Sequence, residues 1–324
     1  MALLSGGTGG AKLARGMLEV VGADRLAVIA NTGDDIEIYG AHVSPDPDLI
    51  AFWLADRIDE RGWGIAGDTF AVMEGLRELG VEVWFNLGDR DLAWCLERAR
   101  LEAAGASASE AHAQLCARIG VRAQVIPMSD HAYRTIVNGA CLQEHLIRAG
   151  ATAAVRSVRY LNAQGAEQPP PPSPAAARAI AEAALIVIGP SNPVISIAPI
   201  LNVLKAPLLE AAAPIVAVSP IVAGAVLKGP TAAFMAAVGR PATAAGVLDY
   251  YQSLLPGRIA GMLADEELAP DQSPCLLALA STLMSDADSR TAVAQRVLAL
   301  ARTLQQGEAA PGMQRAPGAR LQLD

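Results

Sequence analysis

The sequence predicts an α/β protein organised around a doubly wound, mostly parallel sheet. Short apolar runs alternate with helix-period segments along the first half of the chain. Residues 185–188 and 215–218 are continuously apolar, β-branched runs, the pattern of strands buried on both faces. A glycine-rich stretch joins the first apolar run to the first helical pattern, and in such sheets ligands collect at the carboxyl ends of the strands.

Taken in order, residues 2–4 form the first expected strand, followed by a glycine turn and a helix over 11–21. Residues 26–30 supply a second strand. Asp46 suits an N-cap with Pro47 at the first helical position, opening a helix to about residue 58. Ser107 and Glu110 have the spacing of a capping box for a helix that stops at Gly120, and residues 123–126 form a further strand. Between 133 and 168 the pattern is less regular, which suits short antiparallel strands leaving the main sheet. The prolines at 169–172 make a stiff connector, and Ser173 with Pro174 starts another helix. Helical patterns cover 231–251 and 287–304. The polar, Gly/Pro-bearing residues 305–324 predict a disordered tail. The expected organisation is one domain over 1–304 with an insert near 133–172.

Composition sets limits. With 324 residues, 52% of them apolar, the chain can bury a large core. A net charge of −8 disfavours nucleic acid, so any phosphate site must be a local pocket. Cys95, Cys116, Cys141 and Cys275 are far apart and form no Cys-x-x-Cys pair, which fits reduced thiols in a cytoplasmic protein. His42, His112, His131 and His145 lack metal-ligand spacing. Nothing ahead of the glycine turn reads as a signal peptide. The most hydrophobic stretch, 211–227, contains Pro214, Pro220 and Gly224 and suits a strand plus loop better than a membrane helix.

Seven stretches carry chemistry. Ser5-Gly6-Gly7-Thr8-Gly9-Gly10-Ala11-Lys12 offers backbone amides and a lysine to a phosphate, or is a tight turn that needs glycine. Asn31-Thr32-Gly33-Asp34-Asp35 and Asp46-Pro47-Asp48 place four aspartates near that turn. Hard carboxylate oxygens there suit Mg2+ shared with substrate phosphates; the plainer alternative is a solvated acidic loop. Gly62-Trp63-Gly64 can stack on a planar ring, or is a loop that ends with Asp68 capping the next helix. In Gly88-Asp89-Arg90-Asp91, Arg90 has the fork geometry for phosphate or carboxylate, whereas Asp89 also suits a cap on the helix that follows. Pro127-Met128-Ser129-Asp130, residues 189–193 with Ser191 and Asn192, and Ser219-Pro220-Ile221 all follow strands and read as ligand loops or rigid turns. Lys228 suits either a phosphate or solvent.

In this order, and together with Gln143-Glu144 and Thr282-Leu283-Met284, these stretches resemble the CofD family, the 2-phospho-L-lactate transferases of coenzyme F-420 biosynthesis. The resemblance spans nearly the whole chain. It implies a Rossmann-like domain with a smaller, mainly helical subdomain, and dependence on Mg2+. It also implies a guanosine diphosphate-linked phospho-acid donor, the deazaflavin Fo as acceptor and GMP as product. A homodimer, and a functional link to the guanylyltransferase that supplies the donor, are expected with it. Cys95 stands where the family often has histidine, and residues 258–261 lack an expected acidic residue, which leaves phospholactyl, phosphoenolpyruvyl and phosphoglyceryl groups as candidates.

On this reading Asp34 and Asp48 hold Mg2+, and Asp35 or Asp46 orients or deprotonates the acceptor hydroxyl. Gly6, Gly7, Thr8, Gly9, Gly10 and Lys12 hold donor phosphates, with Ser191 and Asn192 on the nucleotide. Trp63, Asp89, Arg90, Met128 and Ser129 face the acceptor. The rival is a non-catalytic nucleotide-sugar-binding regulator of the gluconeogenesis-factor type, which shares the glycine turn and the Asn-x-Gly-Asp-Asp stretch. A nicotinamide oxidoreductase is disfavoured because no exact dinucleotide fingerprint is present.

Overall fold

The apolar runs become strands because each can be covered on both faces. The computed structural model describes residues 1–150, 153–222, 230–268, 275–308 and 320–322. Its strands are β1 (Ala2–Ser5), β2 (Ala27–Ala30), β3 (Ile36–Ile38), β4 (Ala41–Val43), β5 (Gln124–Pro127), β6 (Tyr133–Val137) and β7 (Ala140–Cys141). They continue with β8 (Val158–Asn162), β9 (Ile186–Ile188), β10 (Ile215–Val218), β11 (Ile259–Ala264), β12 (Leu276–Leu279) and β13 (Arg320–Gln322). Eight of them form one parallel sheet in the order β13-β12-β11-β10-β9-β1-β2-β5. Successive residues alternate between two cores: Leu4, Ile186, Ile188 and Ile215 face one, while Leu3, Val187, Val216 and Val218 face the other. The helices Gly7–Val21, Pro45–Leu54 and Ala287–Glu308 lie over the second face, and Ala198–Val203 and Ala244–Leu254 over the first. This is the doubly wound, Rossmann-like sheet the sequence predicts.

The chain runs outward from β1 through β2 to β5, then returns to place β9 on the other side of β1. The order therefore reverses between β1 and β9, and a crevice opens at their carboxyl ends. The glycine turn after β1 and residues 189–193 after β9 flank that crevice.

A smaller unit grows from the hairpin β3–β4 and the helices Ala71–Glu78 and Asp89–Ala103, with its own core of Ala41, Val43, Met73, Leu87, Leu92 and Cys95. Its two helices cap each other. Asp68 accepts from the Arg90 and Asp91 amides at the head of Asp89–Ala103. Asp89 accepts from the Ala71 and Val72 amides at the head of Ala71–Glu78. Asp89 thus caps the helix before it, not the helix it begins. The expected antiparallel excursion is the sheet β7-β6-β8.

Several boundaries differ from the sequence pattern. The first helix starts at Gly7, so the glycines occupy its first turn. The second starts at Pro45 and ends at Leu54; its N-cap position is Ser44, and Asp46 lies in the first turn with its carboxylate directed elsewhere. The 231–251 pattern is two helices, Thr231–Ala237 and Ala244–Leu254, parted near Gly239, whose φ is 70°, and Pro241. The final helix runs past Gln305 to Glu308, and Arg320–Gln322 pairs parallel with β12, so the expected disordered tail is in part structured. An open strand edge offers unpaired N–H and C=O groups, and a short segment returning to it satisfies them whatever its polarity. Lys228 lies outside the described residues. Among the described residues no helix is long and apolar enough to cross a membrane.

Candidate active site

Local sequence brings the aspartates together. β2 ends at Ala30, and the turn that follows places Asn31, Asp34 and Asp35 at the carboxyl end of the sheet. Pro45–Leu54 brings Asp46 under the glycine turn. The Gly7 amide donates to Asp46 Oδ1 at 2.5 Å, and the Asn31 side-chain amide donates to Asp46 Oδ2 at 2.9 Å and to Asp34 Oδ1 at 3.4 Å. Gln143 donates to Asp34 Oδ2 at 3.0 Å. Asp34 and Asp46 are both buried and share one amide. Burial, then repulsion from Asp46 and Asp35, pushes the Asp34 carboxyl well above its usual range. Burial pushes Asp46 up to about 6, against the hydrogen bonds from Asn31 and Gly7.

This close packing explains the glycines. A Cβ on Gly6 would meet Asp46 Oδ2 at 2.5 Å, and one on Gly9 would lie 2.2 Å from the Pro190 carbonyl oxygen. Ser191 Oγ accepts from the Gly6 amide at 3.2 Å, so the two crevice loops are stitched together. Asn192 Oδ1 caps the wide helical turn Pro193–Ile197 through the Val194 and Ile195 amides, and its Nδ2 donates to Thr231 Oγ1 at 3.3 Å. Thr8 is exposed at the crevice rim, and Lys12 Nζ donates to the Met284 carbonyl at 3.0 Å.

Asp35 faces the other way, into an open cavity of about 340 Å3 over the ends of β2 and β5, whose lining includes His42, Ser44, Glu102, Ser129 and Arg134. Ser44 Oγ donates to Asp35 Oδ1 at 2.8 Å, and His42 Nε2 lies 3.0 Å from Asp35 Oδ2. Ser129 Oγ donates to the Pro171 carbonyl at 2.7 Å and accepts from the His131 amide.

Some expected site residues stand apart. Asp48, read as a partner of Asp34 on Mg2+, is 3% exposed and ion-paired with Arg98 instead. Trp94 Nε1 also donates to its Oδ1, at 2.7 Å. Met128 is fully buried in the core, below the cavity that Ser129 lines. Trp63 is 55% exposed with the Arg61 guanidinium 4.3 Å over its ring, and a Cβ on neighbouring Gly62 would lie 3.7 Å from the Thr8 methyl, so this loop borders the glycine turn and not that cavity. Arg90 donates to the Ala66 carbonyl at 2.9 Å, which makes it, like Asp89, a brace between loops.

The motifs assign no role to Arg98, His42 or Asn31. A signal existed for the first: Asp91, Trp94, Cys95 and Arg98 fall at i, i+3, i+4 and i+7, so polar groups line the stripe where a buried helix face runs.

The donor set tests the implied metal. Asp34 and Asp46 are hard oxygen ligands whose hydrogen-bond partners among the described residues are amides, which fits a divalent cation. Asp48, Asp91 and Cys95 also bring ligand-type atoms within 4.8 Å of one another, but Arg98 already places a guanidinium there.

The Asp46 shift sets a pH dependence. An acid whose folded pKa is raised contributes stability that is fully present below its unfolded value, here 3.8, and is lost as pH rises through the folded value of about 6. His112, which burial pushes down to about 3, works in the opposite sense, so a difference measurement is needed. Relative to Asp46→Asn, the metal-free wild type is expected to lose on the order of 2 kcal/mol between about pH 4 and pH 7. Urea titrations of both proteins across that range check it; parallel stability curves would count against the buried carboxyl.

The fold and this crevice define an α/β protein with an acidic, glycine-turned site at the switch point of its sheet. The model of the CofD family, 2-phospho-L-lactate transferase CofD, matches residues 1–281, and the chain belongs to that family. It is 37% identical to a phosphoenolpyruvate transferase of Kitasatospora aureofaciens, covering 94% of this chain and 98% of that protein. It is 34% identical to a 2-phospho-L-lactate transferase of Methanosarcina mazei, over 92% and 99% of the two chains. The chain is therefore a transferase enzyme. A Bacillus halodurans protein of the UPF0052 family shares the fold with a TM-score of 0.54 at 17% identity, over 83% of this chain and 81% of that one.

Proposed function

We propose that this transferase moves a phospholactyl, phosphoenolpyruvyl or phosphoglyceryl group from a guanosine diphosphate-linked donor to the terminal hydroxyl of the deazaflavin Fo, in coenzyme F-420 biosynthesis. The observation that carries the reading is the pair Asp34 and Asp46, buried under the glycine turn with Ser191 and Asn192 on the opposite rim. Two adjacent carboxylates beside a turn of backbone amides suit a diphosphate only when a cation lies between them. Asp34 and Asp46 would hold Mg2+, which when bound offsets the charge of the donor diphosphate; Asp48 is withdrawn from that role. The relatives' names, a phosphoenolpyruvate and a 2-phospho-L-lactate transferase, support the first two acids over the third.

The acceptor hydroxyl attacks the phosphorus that bears the acid. A new O–P bond forms, the diphosphate P–O bond breaks, and GMP leaves with the bonding electrons. Asp35, facing the cavity beside Ser129, takes the hydroxyl proton. Such a transfer depends on positioning and charge more than on covalent help. The guanylyltransferase that makes the donor is the expected functional partner, and a homodimer the expected assembly.

Purified protein incubated with Fo, GTP, that guanylyltransferase and each phospho-acid is expected to yield an Fo diester and GMP by mass spectrometry. Asp34→Asn is expected to slow turnover by about 100-fold or more with the fold retained. No diester from any donor, together with tight binding of a UDP-sugar, would reverse the reading towards a regulator.

A further inference from the structure

We propose that His42 is a positioning residue for the transfer, fixing the Asp35 carboxylate over the cavity while anchoring that carboxylate to the far end of the Asp89–Ala103 helix. The proposal rests on assigning Asp35 to the acceptor hydroxyl.

His42 lies on β4, opposite Glu37 in the hairpin. Its Nε2 is 3.0 Å from Asp35 Oδ2, and its Nδ1 is 3.2 Å from both carboxylate oxygens of Glu102. Ionised carboxylates only accept hydrogen bonds, so a ring that satisfies one on each nitrogen must donate from both and is an imidazolium. Burial alone would make that charge harder to hold; hydrogen bonds to Asp35 and Glu102, and their charges, overcome it and push the ring up to about 10. Arg134 NH1 lies 3.8 Å from Asp35 Oδ2, and Arg98 NH1 donates to the His42 carbonyl at 2.9 Å. With Ser44 on Oδ1 and His42 on Oδ2, both Asp35 oxygens are anchored and its rotation is fixed. Glu102 completes the clamp near the carboxyl end of its helix, which belongs to the smaller unit. The contact therefore ties the aspartate's aim to the docking of that unit.

Steady-state kinetics on wild type, His42→Gln and Glu102→Gln test this, with melting temperatures to confirm folding. His42→Gln is expected to lower kcat by about 100-fold while leaving KM for either substrate within about threefold, because binding survives and aim does not. Glu102→Gln removes one of the two charges that hold the ring protonated. Its kcat is expected to fall on the alkaline side of about pH 8, where the wild type holds a plateau. A packing role for His42 would not move that limb. An unchanged kcat in folded His42→Gln, or identical pH profiles, overturns the proposal. Histidine-ring NMR supplies a readout that does not need the reaction: the His42 ring of the wild type is expected to stay protonated above about pH 8. A ring that titrates below that value overturns the clamp. Absence of turnover in the wild type, with the ring protonated, instead indicts the assigned reaction.

Discussion

Replacing Asp48 by asparagine is expected to destabilise the protein by about 3–5 kcal/mol, the loss that follows when one partner of a buried ion pair is removed. Asp48 and Arg98 are 3% and 2% exposed, and the guanidinium pairs with Asp48 Oδ1, which Trp94 also donates to. An arginine does not shed its proton when its partner goes, so the variant carries a buried cation facing an amide. Arg98 also holds the His42 carbonyl, so the damage spreads to β4. His112 cannot compensate: its Nδ1 is 3.7 Å from Asp48 Oδ1, but burial holds the ring neutral. Urea denaturation measures the effect, and a second variant separates the causes. Adding Arg98→Met to Asp48→Asn is expected to recover a large part of the loss, since no charge then remains unpaired. A single variant as stable as the wild type, yet inactive, would return Asp48 to the metal.

Gly9→Ala is expected to cut transfer activity by about 100-fold and to lower stability by about 1–3 kcal/mol. The new methyl would sit 2.2 Å from the Pro190 carbonyl oxygen; the helix backbone fixes the methyl and its partner is itself backbone, so no rotamer relieves the clash. The first helix must retreat from residues 189–193, widening the crevice and pulling the Gly6 amide from Ser191. Gly75→Ala is the control. No described residue lies within 4 Å of a Cβ built there in the helix Ala71–Glu78, so it is expected to be neutral or slightly stabilising. Activity and melting temperature for the two variants, measured side by side, decide whether close approach or glycine content matters at the turn.

The parallel sheet was legible in the sequence because buried strands are written as unbroken β-branched runs, and Ile215–Val218 occupies the residues expected. β11 and β12 were not, since Ile259–Ala264 contains Ala260 and Gly261, which weaken the strand signal. The acidic stretches stood out because four aspartates near one strand end demand an account, and two of them, Asp34 and Asp46, meet beneath the glycine turn. What the motifs could not give was which carboxylate meets which partner. Asp46 and Asp48 lie two residues apart on one helix and point to different surroundings, one to the Gly7 amide and the other to Arg98. That division depends on helix Asp89–Ala103 docking from far along the chain, a tertiary event with no local signature. Met128 shows the same limit: a residue between Pro127 and Ser129 reads as part of a ligand loop, yet the pleat turns it into the core.

The exchange of caps between Asp68 and Asp89 makes the two helices of the smaller unit hostages to each other. Neither can fray at its head without releasing the loop that opens the other, so the pair melts and re-forms as one cooperative block. The Trp63 loop hangs from the same carboxylate through Arg90 and Ala66. One continuous run of hydrogen bonds and helix thus links the Trp63 loop at one end to Glu102, near the last turn of Asp89–Ala103, at the other.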